Sequence, residues 1–253
     1  MISIPKPGKK FWIGATFILI VLAVLIIIIT TRESLSIDKK INIIPRGPID
    51  KRLSGISTKI LGTKETPLYI INDFLSPQEC KDIIDSVKGT FVPSPLTRQD
   101  PDDPNFRTSK TGYFTTKGIH QKLEDKMNNF LNIQHPNSTD ESIQIQHYEP
   151  GNEFKPHWDW FDPSEDKEFY DKGQRTWTFT VYLNDVQKGG STHFTKLNNS
   201  VYPKTGRAAI WCNLTKNGEL DYDTQHQGSP VIEGEKYIIT KWYKYIKNPT
   251  SES

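Results

Sequence analysis

The stretch HYEPGNEFKPHWDWF, from His147 to Phe161, sets histidines, acids and aromatic residues around a single Pro-Gly turn. Along a β-strand, residues i and i+2 share a face. A strand through FKPHWD would therefore project His157 and Asp159 together and turn Trp158 away. A histidine and a carboxylate on one face can fill two positions of a metal shell, with a third ligand supplied from elsewhere. Two histidines and one carboxylate suit Fe(II), leaving positions open for oxygen and a co-substrate. On its own, the His-x-Asp triplet fits a surface histidine beside a hydrogen-bonded aspartate equally well.

Around this stretch the chain reads as strands. ESIQIQHYEP, RTWTFTVYLND, GSTHFT, VYPKTGRAAIWCNL and KYIITKWYKYI are short β-branched and aromatic runs, separated by Gly, Pro and Asn-Asp turns, and several alternate with period two. Upstream, PLYIINDFLSPQECKDIIDSVKG predicts a strand and then a helix. Ser76 caps that helix, Pro77 begins it and Glu79 puts an acid in its first turn. Cys80, Ile83, Ile84 and Val87 share its apolar face. A second helix is predicted over Gly118 to Leu131, with Ile119, Leu123, Met127 and Phe130 spaced by three or four. Between them, PSPLTRQDPDDPNFRTSKTG is too rich in Pro and Asp for a core. Two helices followed by many short strands predict an α+β, mainly β domain, with helices packed on a barrel or double-sheet jelly roll.

The amino-terminal part is different. Phe11 to Ile29, FWIGATFILIVLAVLIIII, carries no charge and has the length of a membrane-spanning helix. No small-x-small cleavage pattern follows it, so it reads as an anchor rather than a signal peptide. Lys9 and Lys10 abut it, placing the amino terminus in the cytoplasm and the bulk of the chain across the membrane, in the lumen of the endoplasmic reticulum. The organisation expected is a tail over 1–10, the spanning helix over 11–29, a stalk over 30–64, a domain over 65–247 with its β core near 141–247, and a tail over 248–253. A net charge of +2 with scattered lysines points away from nucleic acid. Cys80 and Cys212 make no disulfide framework. Asn137, Asn198 and Asn213 open Asn-x-Ser/Thr triplets that are glycan acceptors if the domain is lumenal.

Two further residues bear on the metal reading. His226 sits just before a Gly-Ser-Pro turn and can close the ligand set. Ten positions on, Lys236 stands in a run that is otherwise apolar and aromatic. A lysine inside a β core is costly unless an anion pairs with it, and one carboxylate of a dicarboxylic co-substrate is such an anion. A surface lysine is the plainer alternative.

Together, His157-x-Asp159, His226 and Lys236 resemble the Fe(II)/2-oxoglutarate dioxygenases, and in particular the prolyl 4-hydroxylase family. The likeness runs from about Pro67 to Ile246. It includes YEPGNEFKPHWDWF, RTWTFTVYLNDVQKGGSTHF with its Tyr-Leu-Asn-Asp turn, VYPKTGRAAIWCNL, and the Arg-Thr-Ser of FRTSKTGYF. The resemblance implies a double-stranded β-helix (jelly-roll) core. It implies that His157, Asp159 and His226 hold iron, and that Lys236 pairs with the far carboxylate of 2-oxoglutarate, helped by Tyr148, Thr192 and Trp242. It implies that Arg175 contacts a proline-containing peptide, whose C4 is hydroxylated as 2-oxoglutarate and O2 give succinate and CO2, with ascorbate as the accompanying reductant.

The chain also departs from that family's pattern. Phe154 stands where a second tyrosine is usual and Lys244 where a histidine is common beside the peptide, so both are candidate substrate contacts. Tyr237 replaces a frequent tryptophan, and His193 occupies a hairpin position usually held by a small or apolar residue. His147 reads as structural, and His120 and His135 as solvated. Action on another residue or a small molecule, and an inactive peptide-binding jelly roll, stay open as alternatives. Oligomeric state is not legible.

Overall fold

The computed structural model describes residues 46–96, 103, 105–115, 117–133 and 141–245. The expected membrane-spanning stretch 11–29, both tails, His135 and Asn137 lie outside these residues. Among the described residues no helix is long and apolar enough to cross a membrane.

Two antiparallel sheets carry the molecule. The larger has eight strands: β1 (Lys59–Gly62), β2 (Pro67–Ile71), β3 (Val92–Pro93), β4 (Lys110–Gly112), β5 (Gln144–Tyr148), β7 (Gln174–Tyr182), β11 (Ala208–Cys212) and β14 (Lys236–Tyr245), in the spatial order β1-β2-β11-β7-β14-β5-β4-β3. The smaller is β10 (Asn199–Val201), β9 (Thr192–Phe194), β12 (His226–Gly228) and β6 (Phe154–His157), in that order. A short pair, β8 (Lys188–Gly189) with β13 (Val231–Glu233), completes the strands.

Period-two alternation divides the large sheet between two cores. On β14, Ile239 and Tyr243 join Trp177, Phe179 and Val181 of β7 on the face covered by helices. Ile238, with Tyr148, Tyr182 and Trp211, meets Phe194 and Val201 of the small sheet on the other face. Among the described residues, apart from a five-residue helix, Lys167–Asp171, the α-helices are α1 (Arg46–Ile56), α2 (Pro77–Ser86) and α3 (Lys117–Leu131).

Helix α2 begins as predicted. Ser76 Oγ accepts from the Glu79 amide, and Glu79 Oε2 accepts from the Ser76 amide, closing a capping box. Cys80, Ile83 and Val87 are buried, while Ile84 is partly so. Cys80 and Cys212 are both free and buried, and burial pushes their thiols up to about 11 and about 12. Neither is poised as a nucleophile.

The expected stalk over 30–64 needs correction. From Arg46 onward the chain belongs to the domain: α1 buries Ile49 and Leu53, and β1 pairs with β2 through Lys59–Ile70 to Gly62–Pro67. The Arg46 guanidinium anchors the helix by donating to the carbonyls of Leu214 and Glu65, each at 2.6 Å, and to Asp50 at 3.0 Å. Pro48 lies in the first helical turn, where no intrahelical N–H is needed, so it does not interrupt the helix. Asn213 is fully buried with its amide nitrogen bonded to Thr178, so it takes no glycan in the folded domain. Asn198 is exposed in the turn between β9 and β10.

Candidate active site

The register of the small sheet builds the centre. His226 lies directly across from His157 in the β12–β6 ladder, so the two side chains share a face, with ring centroids 4.4 Å apart. The third group arrives differently from expectation. Strand β6 ends at His157, and Asp159 lies in a bend just beyond it. Its carboxylate is held across the gap by the large sheet, where the Thr178 hydroxyl donates to Asp159 Oδ2 at 2.7 Å. Arg175 Nη1 donates to the Asp159 carbonyl at 3.3 Å.

Ligand atoms of His157, Asp159 and His226 all lie within 4.8 Å of one another. His157 Nδ1 donates to the Lys155 carbonyl at 2.7 Å, and His226 Nδ1 to the Thr224 carbonyl at 3.0 Å. A carbonyl only accepts, so each Nδ1 carries a proton and each Nε2 is the ring atom left for a metal. Those Nε2 atoms stand 3.9 Å from Asp159 Oδ1 and 3.7 Å from Oδ2. Burial, with His226 alongside, pushes the His157 imidazole down to about 3, so it is neutral at pH 7. Burial works to raise the Asp159 carboxyl, but His226, His157, Arg175 and the Thr178 hydroxyl outweigh it and hold the group below the usual carboxylate range. Two imidazoles and one carboxylate converging in this way fit a divalent cation such as Fe(II).

Lys236 lies in the same cavity as these three residues, together with Tyr148, Thr192 and Trp242. It is 1% exposed, and its Nζ stands 3.8 Å from the centre of the Tyr148 ring. No carboxylate pairs with it among the described residues. Burial pushes its ammonium down to about 7. The Tyr182 hydroxyl lies 2.7 Å from Thr192 Oγ1 and 3.3 Å from the Val201 carbonyl. The Trp242 indole N–H is buried without a partner. The cavity thus combines a cation and an unused donor.

A groove of about 1020 Å³ opens over the centre, lined by Pro95, Phe106, Trp158 and Tyr222 among others. Phe154 stacks on His157 with centroids 3.6 Å apart. Arg175 reaches the groove through a bulge. Tyr243 pairs with Trp177 but Lys244 pairs with Arg175, so Thr176 is an extra residue on β7. The extra residue transfers Arg175 from the helix-covered face, where strict alternation would put it, to the site face. There its guanidinium forks onto Glu141, with Nε at 2.6 Å from Oε1 and Nη2 on Oε2. It also lies 4.0 Å over the Trp242 ring. Lys244 pairs with the same Glu141 at 3.1 Å. Arg175 and Lys244 are therefore tied to an acid that the sequence reading did not single out, since nothing in ESIQIQ marks Glu141 as a partner 34 residues away.

Arg107, read before only as part of a motif, lines the groove as well. It donates from Nε to Ser109 Oγ at 3.0 Å and from Nη1 to the Pro95 carbonyl at 3.1 Å, while Nη2 is buried without a partner. The other histidines stand apart. His147 stacks on Tyr237 at 4.2 Å and meets Glu235, as a structural residue would. His193 bonds Ser200. His120 is half-buried against Phe114 rather than solvated.

Comparison with known proteins places this geometry in a class. Residues 143–244 match the model of the 2OG-Fe(II) oxygenase superfamily. The chain is 32% identical over 183 residues to human prolyl 4-hydroxylase subunit alpha-1, covering 68% of this chain and 33% of that one. It is 32% identical over 217 residues to probable prolyl 4-hydroxylase 6 of Arabidopsis thaliana, covering 73% and 72%. The viral collagen prolyl hydroxylase of Paramecium bursaria Chlorella virus-1, solved with 2OG, superposes with a TM-score of 0.58 at 28% identity, over 71% of this chain and 96% of the other. The chain belongs to the prolyl 4-hydroxylase family of 2OG-Fe(II) oxygenases. It spans about a third of the length of the alpha-1 subunit that it matches.

Proposed function

We propose that the protein is an Fe(II)- and 2-oxoglutarate-dependent dioxygenase that hydroxylates peptidyl proline at C4, converting 2-oxoglutarate and O2 to succinate and CO2. The observation that carries this reading is Lys236, a buried ammonium without a carboxylate partner among the described residues, in one cavity with three convergent metal ligands. His157, Asp159 and His226 would hold the iron. Lys236 would bind the far carboxylate of the co-substrate, with the Thr192 hydroxyl, Tyr148 and the Trp242 N–H around it. When bound, the iron supplies the oxygen activation that no side chain can perform.

The residues of this chain then bind and orient. The Phe154 face and the unpaired Arg107 Nη2 border the space over the centre and would receive the proline ring and a backbone carbonyl of the peptide. Glu141 holds Arg175 and Lys244 at the groove wall. Ascorbate would keep the iron reduced. The test is the full chain with Fe(II), 2-oxoglutarate, ascorbate and a panel of proline-rich peptides, read by mass for a gain of one oxygen per modified proline. We also propose that residues 11–29 anchor the chain with the domain in the lumen. Protease treatment of sealed microsomes should then spare the domain, and its loss without detergent would reverse that orientation.

A further inference from the structure

Asp159 is the ligand whose place depends least on its own strand, because β6 ends before it. Its Oδ2 accepts from Thr178 Oγ1 at 2.7 Å, and Thr178 Oγ1 in turn accepts from Asn213 Nδ2 at 2.9 Å. Both Thr178 and Asn213 are 0% exposed. Proton counting leaves one arrangement. An ionised carboxylate only accepts, so the single hydroxyl proton of Thr178 must point to Asp159. The hydroxyl oxygen can then only accept from its other neighbour, so Asn213 must present its NH2 group. That orientation leaves Asn213 Oδ1 buried with no partner. A buried, unpaired amide carbonyl is a cost to folding, so Asn213 is not placed there for stability.

We infer that Asn213 and Thr178 form a two-residue hydrogen-bond relay that positions the Asp159 carboxylate for metal binding, Asn213 acting only through Thr178. The relay fixes Oδ2 from the large sheet, 3.7 Å from His226 Nε2, and so sets Oδ1 3.9 Å from His157 Nε2. Asn213 lies just past the end of β11, and Thr178 pairs with Trp211 of that strand. The relay thus links the metal site to the middle of the large sheet. Both are positioning residues: Thr178 bonds the ligand Asp159 without being a ligand, and Asn213 bonds Thr178.

The inference rests on the metal reading of the site, and the experiment separates the two. Full-length protein, stripped of metal, is titrated with Co(II) and, under argon, with Fe(II), following heat. Outer-shell partners of metal ligands typically contribute about 10–100-fold in affinity. Thr178→Val, which keeps shape and removes the hydroxyl, should weaken binding by about that factor, while Thr178→Ser should stay within about threefold of wild type. Asn213→Leu should weaken binding in the same direction, with the metal-free melting temperature retained. The double variant Thr178→Val/Asn213→Leu should bind no more weakly than Thr178→Val alone, because residues acting in series are not additive. Thr178→Val binding within about twofold of wild type, or fully additive losses in the double variant, would overturn the relay while leaving the metal site standing. Wild type that binds neither ion overturns both. Either single variant carries the test if the other does not fold.

Discussion

Lys236 concentrates the electrostatics of the site in one atom. Its ammonium is buried against the Tyr148 ring, and burial pushes it down to about 7. Truncating one partner of a buried charge pair costs roughly 2–5 kcal/mol. Lys236→Ala should therefore weaken 2-oxoglutarate binding by about thirtyfold or more, at 1.4 kcal/mol per tenfold. Metal affinity should be unchanged, and calorimetry on the two ligands separately checks both halves. The same group sets a pH dependence. Between about 7 and 10.5 the unfolded chain holds a proton that folded, ligand-free Lys236 has released, so the lysine's penalty on stability eases as pH rises through that window. A dianionic co-substrate needs the ammonium. Above pH 7 its binding must take up a proton, and affinity should fall by about tenfold per pH unit. A flat profile in wild type would remove Lys236 from the co-substrate site. Glu141 gives a complementary prediction: Glu141→Ala frees Arg175 and Lys244 from their shared anchor. It should raise the KM for peptide while leaving metal stoichiometry at that of wild type.

At the scale of elements, legibility followed how local the cause was. The capping box of α2 needs only Ser76 and Glu79, three residues apart, and both helix positions were readable. His157 and Asp159 were readable as a pair because they are near in sequence. The way they meet was not, since Thr178 draws Asp159 across from the other sheet. The bulge at Thr176 is marked only by Arg175 falling in the register of Trp177, Phe179 and Val181, a break that the end of a strand produces equally well. Glu141 and Asn213 take their meaning from partners dozens of residues away. Helix α1 was hidden for another reason. Among its few apolar residues only Ile49 and Leu53 are buried, and its anchor is Arg46 on two backbone carbonyls. Charge-assisted bonds of this kind contribute about 1.5–3 kcal/mol each. Arg46→Ala should lower the free energy of unfolding by about 2–4 kcal/mol, given the two carbonyls left without their donor. Urea unfolding of the full chain checks it, and a midpoint unmoved from wild type would return α1 to the status of a linker.

Across the whole molecule, the ligands are set by sheet pairing and hydrogen bonds that exist without metal. The His226–His157 ladder, the two imidazole-to-carbonyl bonds and the Thr178–Asp159 bond are all protein-internal. Removing metal with a chelator should leave a cooperative melt. Adding metal back should raise stability only by mass action, about 2.7 kcal/mol at a hundred times the dissociation constant. Scanning calorimetry with and without chelator distinguishes this from a domain that needs metal to fold. The central claim joins the two ends of the cavity, metal ligands at one and Lys236 at the other, into a single proline-hydroxylating site. It is tested most directly by incubating the full chain with Fe(II), 18O2, 2-oxoglutarate, ascorbate and a proline-rich peptide, and sequencing the product by mass. The account predicts one 18O atom on C4 of the modified proline and one succinate released for each, both lost in Asp159→Ala. Succinate formed with no oxygen on any proline across the panel, or hydroxyproline formed equally well by Asp159→Ala, would contradict it.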